Sequence, residues 1–481
     1  MTDFSLMHIM PLAPELFLAI SGLFLLILGV CNGDKSAPVI GWLAAFSFVG
    51  AGMLLLVGHW GRVEVLNGMF VMDQFAGIVK LAILMGLILS VLLSIRYIDD
   101  ERIARFEYPI LMIFAGLGMM LMVSAHDLIG LYMGLELQSL ALYVLASIRR
   151  DNVKSSEAGL KYFVLGAISS GMLLFGASLV YGYTGSTNFA VIGDTLAQQV
   201  TIGPIIGLVF IMAGLAFKIS AAPFHMWTPD VYEGAPTSVT AFFAMVPKLA
   251  AIALLTRLLF EAFPSVIQQW QQVLWMLSIL SMTVGAFAAL MQDNIKRLLA
   301  YSSIGNMGFA LVGLVAGTAE GAASVIVYMV IYMIMTAGTF GVIMSMRRDG
   351  KALENISDLA GLSRNSPLAA YALAILMFSM SGIPPLAGFF GKFLVFKAVV
   401  AVGMYGIAIF GILTSVVAAY YYLRIIKVMF FDEPVAKYDS GIPFVRHAIV
   451  AFSIVFIIGF IFVPSPLMDV THDAVQTLFH G

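Results

Sequence analysis

Four ionisable residues stand where an apolar chain rarely keeps a charge. Glu136 lies in the run LYMGLELQSL, Lys218 in GLAFKISAAPFH, Lys248 in FFAMVPKLAA and Lys392 in LAGFFGKFLVF. A charge at the middle of a membrane span costs about 2.5–3.5 kcal/mol on the insertion scale, so such a residue is read first as functional. Glu136 is the one acid near the middle of any span, and it is available as a counter-charge for Lys218. A structural ion pair that only orders the bundle is the competing reading of those two. Lys248 and Lys392 are left without a mid-span acid. Burial without a counter-charge works against the ammonium form, so such a lysine can take up and release a proton, as a relay requires. Lys161 follows Glu157 by four residues, where it can pair along the helix or reach the basic face. Lys80 and Lys397 read as snorkelling or interface residues.

The elements that must position these groups are membrane helices. Of 481 residues, 61% are hydrophobic and 11% charged, whereas a soluble domain carries about 25% charged residues. A soluble enzyme is excluded. A spanning helix takes about 20 apolar residues, and the apolar runs are twice as long as β-barrel strands. They fall near 11–31, 39–58, 75–95, 108–125, 127–148, 160–184 and 203–226, then 238–260, 268–291, 298–317, 321–346, 367–402, 404–426 and 447–465. The expected fold is an all-α integral membrane bundle of about fourteen helices, with no extramembrane domain.

Charge placement orients the bundle. Loops after odd-numbered spans hold seventeen basic residues, from Lys35 through Arg149 and Arg297 to Lys437 and Arg446, while the opposite loops hold Arg62, with Arg257 near a span end. The positive-inside rule then puts those loops in the cytoplasm and both termini outside. Lys35 follows the first apolar run instead of preceding it, so that run is expected to stay as a span.

Two spans read as broken. The seventh carries Pro223 five residues after Lys218, and the twelfth, 36 residues long, carries Gly382, Pro384, Pro385 and Gly388 before Lys392. Interrupted helices at matching positions of two halves mark the inverted repeats of ion transporters. Simple proline kinks are the plainer reading. The composition excludes other chemistry. A net charge of −2 offers no field for nucleic acid. The lone Cys31 allows neither an internal disulfide nor a thiolate set for a cluster. The thirty methionines suit packing, and no cofactor or metal set stands out.

The stretch Phe217 to Ser220, on through Pro223-Phe224-His225-Met226-Trp227-Thr228-Pro229-Asp230 to Pro236 and Lys248, resembles the subunit N family of bacterial NADH–quinone oxidoreductase, respiratory complex I. Asn294 to Ser303 and Gly382 through Lys392 continue the likeness. The resemblance implies a chain divided into 1–105 (spans one to three), 106–262 and 263–431 (two inverted five-helix repeats) and 432–481 (the last span). It implies that Glu136 pairs with Lys218, and that Lys248 and Lys392 carry a polar axis onward, with Lys161 and His225 added to the proton-relay candidates. Lysine at 392, where a sister subunit has glutamate, favours subunit N.

The function so implied is proton translocation in the bacterial inner membrane, within a hetero-oligomer of antiporter-like and small membrane subunits. NADH, FMN, iron–sulfur clusters and ubiquinone would be handled by other subunits. Three positions depart from many relatives: Asn306 replaces histidine, Phe309 replaces tyrosine, and Pro247 precedes Lys248, where it is expected to loosen span eight. A subunit of a secondary sodium/proton antiporter and a structural membrane spacer remain the alternatives.

Overall fold

The computed structural model describes residues 10–434, 438–439 and 443–479. Residues 1–9, 435–437 (with Lys437), 440–442 and 480–481 lie outside them. The first part of the chain forms α1 (Ala13–Asn32), α2 (Ala37–Val57), α3 (Gln74–Asp100), α4 (Glu107–Val123), α5 (Leu128–Ala146) and α6 (Val153–Thr184). A short α7 (Phe189–Gln198) precedes α8 (Ile202–Lys218), α9 (Trp227–Gly234) and α10 (Thr237–Arg257). The second part forms α11 (Ile267–Leu290), α12 (Ile295–Val315), α13 (Ala319–Ile343), α14 (Leu362–Asn365), α15 (Pro367–Ser381) and α16 (Ala387–Ala401). It closes with α17 (Tyr405–Phe431), α18 (Phe444–Gly459) and α19 (Ser465–Gln476). Strands are confined to two hairpins among the described residues. In one, β1 (Val63–Val65) pairs antiparallel with β2 (Phe70–Met72), Glu64 opposite Val71; in the other, β3 (Arg347–Arg348) pairs with β4 (Lys351–Ala352).

Among the described residues ten helices are long and apolar enough to cross a membrane, and four shorter apolar ones, α4, α8, α15 and α18, coincide with spans four, seven, twelve and fourteen of the sequence reading. Two of these are short for a visible reason: each is half of an interrupted helix. Span twelve divides into α15 and α16 around residues 382–386. Span seven stops at Lys218, turns through residues 219–226 and resumes as α9, which ends at Gly234, eight residues beyond the limit that hydropathy suggested.

Polar residues at the helix starts decide where the apolar runs begin to coil. The side chains of Asp73, Asp127, Asn152, Asn188, Asn294 and Thr318 accept from backbone N–H groups in the first turns of α3, α5, α6, α7, α12 and α13. Such caps satisfy donors that would otherwise face hydrocarbon unpaired.

The layers follow from burial. The apolar stretches of α10 and α13 are wholly enclosed and α12 nearly so, while α1, α2, α6 and α17 keep much of their surface outward. A helix apolar on all sides is stable only at the centre of such a bundle or against lipid. Close approach needs small residues: a Cβ on Gly176 of α6 would strike the backbone of Gly207 in α8. Pro247 does not interrupt α10, which runs unbroken from Thr237 to Arg257. Amphipathic α7 and α19 were not foreseen, because a search for continuous apolar runs passes over them.

Candidate functional site

Lys218, Lys248 and Lys392 are buried, at 5%, 1% and 6% exposure, and Glu136 is half-buried. Lys218 is the last residue of α8. Its Nζ donates to Ser139 Oγ (2.7 Å) and Tyr143 OH (3.3 Å), both on α5. Glu136, three residues before Ser139 on the same helix, accepts from Ser170 Oγ on α6. Among the described residues no carboxylate oxygen lies within ion-pair distance of Lys218, Lys248 or Lys392. The implied Glu136–Lys218 pair is thus an open one, its two members each held by a hydroxyl.

From Lys218 a file of aromatic rings leads to Lys248. Lys218 Nζ sits 5.6 Å from the Tyr143 ring centre, and Tyr143 meets Tyr162 at 4.8 Å. Tyr162 stacks on Trp227 at 4.4 Å, Trp227 touches Tyr232, and Lys248 Nζ lies 5.3 Å from the Tyr232 ring. The Trp227 indole N–H caps the end of α8 by donating to Phe217 O (2.9 Å).

Beyond Lys248 the lining is hydroxylic. Lys248 Nζ donates to Ser303 Oγ (2.5 Å), which also accepts from Tyr332 OH (2.8 Å). The neighbouring Ser302 bonds Tyr422 OH (2.5 Å). Asn306 donates to Ser302 O and accepts from Tyr328 OH (2.6 Å). Asn306 therefore joins α12 to α13 as a neutral bridge, and hydroxyls flank the position where it cannot carry a proton. Phe309 places its ring 4.6 Å from Lys392 Nζ, a cation–π contact.

The second break explains how Lys392 is held. From the second turn of α16 its Nζ reaches back to Ser381 O (3.1 Å), the last carbonyl of α15, and to Ser415 Oγ (2.9 Å). Orphan carbonyls at a helix C-terminus favour a cation. Both breaks thus offer a C-terminal helix end to a lysine, Lys218 by position and Lys392 by reach. Gly388 at the start of α16 donates its N–H to Ser379 Oγ (3.1 Å), and a Cβ there would overlap the Ser379 carbonyl. Gly388→Val is expected to force the two half-helices apart and to cut sharply the yield of folded protein in the membrane. Quantitative immunoblotting of solubilised membranes checks this, and an undiminished yield would show that the break is not tightly set.

Lys161 pairs with Glu157 and with Asp230 of α9, both at 2.7 Å. Arg297 of α12 joins Asp230 (2.8 Å) and Glu233 (3.1 Å), and Lys154 joins Glu233 (2.9 Å). The half-helix α9 is thereby strapped to α6 and α12. Beside it a polar cavity of about 700 Å³ is lined by Glu101, Arg149, Glu233, Lys296, Arg347 and Glu354. His225 lies in the break between α8 and α9, partly exposed, its Nδ1 buried without a hydrogen-bond partner.

Residues 125–418 match a family model described as NADH:quinone oxidoreductase/Mrp antiporter, transmembrane. A NADH-quinone oxidoreductase subunit N from Parvibaculum lavamentivorans is 54% identical over 98% of this chain and 97% of its own length. One from Paramagnetospirillum magneticum is 50% identical over 98% of both. The chain belongs to this family. Among solved structures, a chain of Thermus thermophilus respiratory complex I with bound aureothin superposes with a TM-score of 0.82, at 33% identity, over 95% of this chain and 98% of that one. A chain of the Mrp complex from Dietzia sp. shares the fold at 21% identity, with a TM-score of 0.84 over 98% of this chain and 97% of that one.

Sequence reasoning missed a second set of buried charges. Lys80 does not snorkel. It is fully enclosed in α3 and pairs with Glu15 of α1 at 2.6 Å, because the α1 N-terminal turn brings a carboxylate inside. Lys397, in contrast, is exposed. Arg257, read as a span-end residue, is 0% exposed and forks onto Asp73 (2.7 and 2.8 Å) with Glu261 beside it (2.8 Å). Only the i,i+4 spacing of Arg257 and Glu261 was there to be read; Asp73 and Glu15 are remote in sequence.

Proposed function

We propose that this chain is the proton-translocating membrane subunit of a bacterial NADH–quinone oxidoreductase, crossing the inner membrane fourteen times as two inverted five-helix repeats with both termini outside. The observation that carries the relay is the line of three enclosed lysines that have no carboxylate partner among the described residues, bridged by aromatic rings and hydroxyls from α5 to α17. NADH oxidation and quinone reduction take place on other subunits, which makes this chain a non-redox part of the translocase. The cavity beside α9, lined by charges and set among the basic loops, suits proton entry from the cytoplasm. Lys161 and the Asp230 strap hold that mouth together, and His225 occupies the break through which the entering proton would pass.

Glu136 is the modulator. Coulomb attraction in a low-dielectric interior rises steeply as two charges close. Closing the Glu136–Lys218 gap would hold a proton on Lys218, and opening it would release the proton toward Lys248. Ser170 and Ser139 are positioned to trade those contacts. The high identity to proteins named as subunit N supports complex I over a secondary sodium/proton antiporter, for which the Mrp likeness argues at the level of fold. Mild-detergent pull-down on a native gel stained for NADH dehydrogenase activity tests the assignment. Co-migration with a large NADH-oxidising assembly is expected; recovery with small membrane partners and no such activity would transfer the chain to the antiporters.

A further inference from the structure

Inside the lysine file one hydroxyl is left over. Tyr232, on the half-helix α9, is wholly enclosed, and its OH has no hydrogen-bond partner. The rest of the residue is held. Its ring meets Trp227 at 6.4 Å and lies 5.3 Å from Lys248 Nζ, and its carbonyl accepts from the Thr240 hydroxyl of α10 (2.9 Å). On either side of it in the chain, Asp230 and Glu233 carry the ion pairs to Lys161, Arg297 and Lys154. A buried hydroxyl without a partner is costly, so each one in a folded protein calls for a reason. The plain reason is a leftover of packing.

Ser303 supplies another. A serine hydroxyl has two acceptor positions and one hydrogen to give. Lys248 Nζ (2.5 Å) and Tyr332 OH (2.8 Å) fill both acceptor positions. Among the described residues the Ser303 hydrogen is given to no acceptor. Tyr232 OH stands close enough to Ser303 to act on it, short of a hydrogen bond. The two groups that lack a partner are thus neighbours, and a small shift of α9 joins them.

The direction of that bond depends on the lysine. While Lys248 is an ammonium it donates to Ser303, and the Ser303 hydrogen is free for Tyr232 OH to accept. Once the proton has moved on, the amine has a lone pair. Ser303 then turns its hydrogen to Nζ, and Tyr232 donates into the acceptor position that Lys248 vacated. Without the tyrosine hydroxyl the neutral arrangement stays complete, since Tyr332 still donates to Ser303. The charged arrangement is left with a buried donor that has nowhere to point. The surroundings of Lys248 do not reverse this sign. α13 offers Tyr332, α12 offers Ser303, and Tyr162 of α6 faces Tyr232 from behind. Among the described residues no ionised side chain of α3, α4, α5 or α8 acts on Lys248.

We propose that Tyr232 is a positioning residue for the relay: through Ser303 its hydroxyl favours the protonated form of Lys248, and the half-helix α9 carries it into place. This role rests on the proton-translocating reading above. No proton passes through the tyrosine; only the hydrogen bonds of Ser303 change direction.

NADH-driven pumping by the intact complex in liposomes, followed against pH, tests this in Tyr232→Phe, which keeps the ring and removes the hydroxyl. Pumping needs the ammonium to form, so it falls at high pH. The variant is expected to assemble and to move that alkaline limb about one pH unit toward acid, the scale of one missing hydrogen bond at a buried group. An unmoved limb overturns the proposal and leaves the hydroxyl a matter of packing. Adding Tyr232→Phe to Ser303→Ala is expected to move the limb no further than Ser303→Ala alone. A second shift of the same size there overturns the action through Ser303. Should Tyr232→Phe not assemble, Ser303→Ala alone should move the limb toward acid at least as far, and an unmoved limb overturns the proposal equally. Lys248→Met tests the relay itself. Pumping retained in that variant defeats the relay, whereas pumping lost there beside an unmoved Tyr232→Phe limb defeats the tyrosine's role alone.

Discussion

Replacing Lys248 by methionine is expected to lower NADH-driven proton pumping at least tenfold while the protein still assembles and melts no earlier. The ammonium has one hydrogen bond, to Ser303, and the face of Tyr232; among the described residues no carboxylate reaches it. Burying an ammonium costs several kcal/mol even after relaxation. Methionine matches the length and volume of the lysine stem without that cost, so the folded state gains from the exchange. A side chain kept for stability alone would give the opposite sign. Proton release followed with a trapped pH dye in liposomes, together with a thermal melt of the purified complex, reads both quantities from one preparation. Full pumping would remove Lys248 from the relay. Loss of assembly would make it structural.

How much of this site is legible in the chain depends on which kind of burial is involved. Lys218, Lys248 and Lys392 could be found because each interrupts a long apolar run, and the interruption is a local property of sequence. The two broken helices were legible for the same reason: glycine and proline beside the lysine forecast a free helix end, and Ser381 O supplies one to Lys392. What the lysines touch was not legible. Ser303, Tyr332, Asn306 and Tyr422 sit on three helices and look like ordinary polar residues of apolar segments. Asn306 shows the limit well. Its inability to hold a proton follows from its chemistry, but that Tyr328 and Tyr422 bracket it follows only from the packing of α12 against α13 and α17. Lys80 was misread because snorkelling is judged from distance to a span end, whereas the partner that keeps it inside, Glu15, arrives from 65 positions earlier in the chain.

The largest stability effect is expected at Arg257. Its guanidinium satisfies both oxygens of Asp73, one oxygen of Glu261 and the carbonyl that ends α4, with no exposure to solvent. Arg257→Met leaves two enclosed carboxylates facing each other across an apolar side chain, and loss of one partner from a buried pair typically costs about 3–5 kcal/mol. That is enough to prevent most copies from entering the complex. Removing a carboxylate along with the guanidinium should undo most of the damage. In Asp73→Asn with Arg257→Met the remaining Glu261 still has Arg62 and His126. The same logic applies to Glu15 and Lys80, where Glu15→Leu or Lys80→Met alone should destabilise and the two together should melt near the wild type. Melting midpoints of the solubilised complex, single against double variants, settle the matter. A single Arg257 variant as stable as the wild type, or a double variant no better than the single, would show that these charges are not held in place by one another.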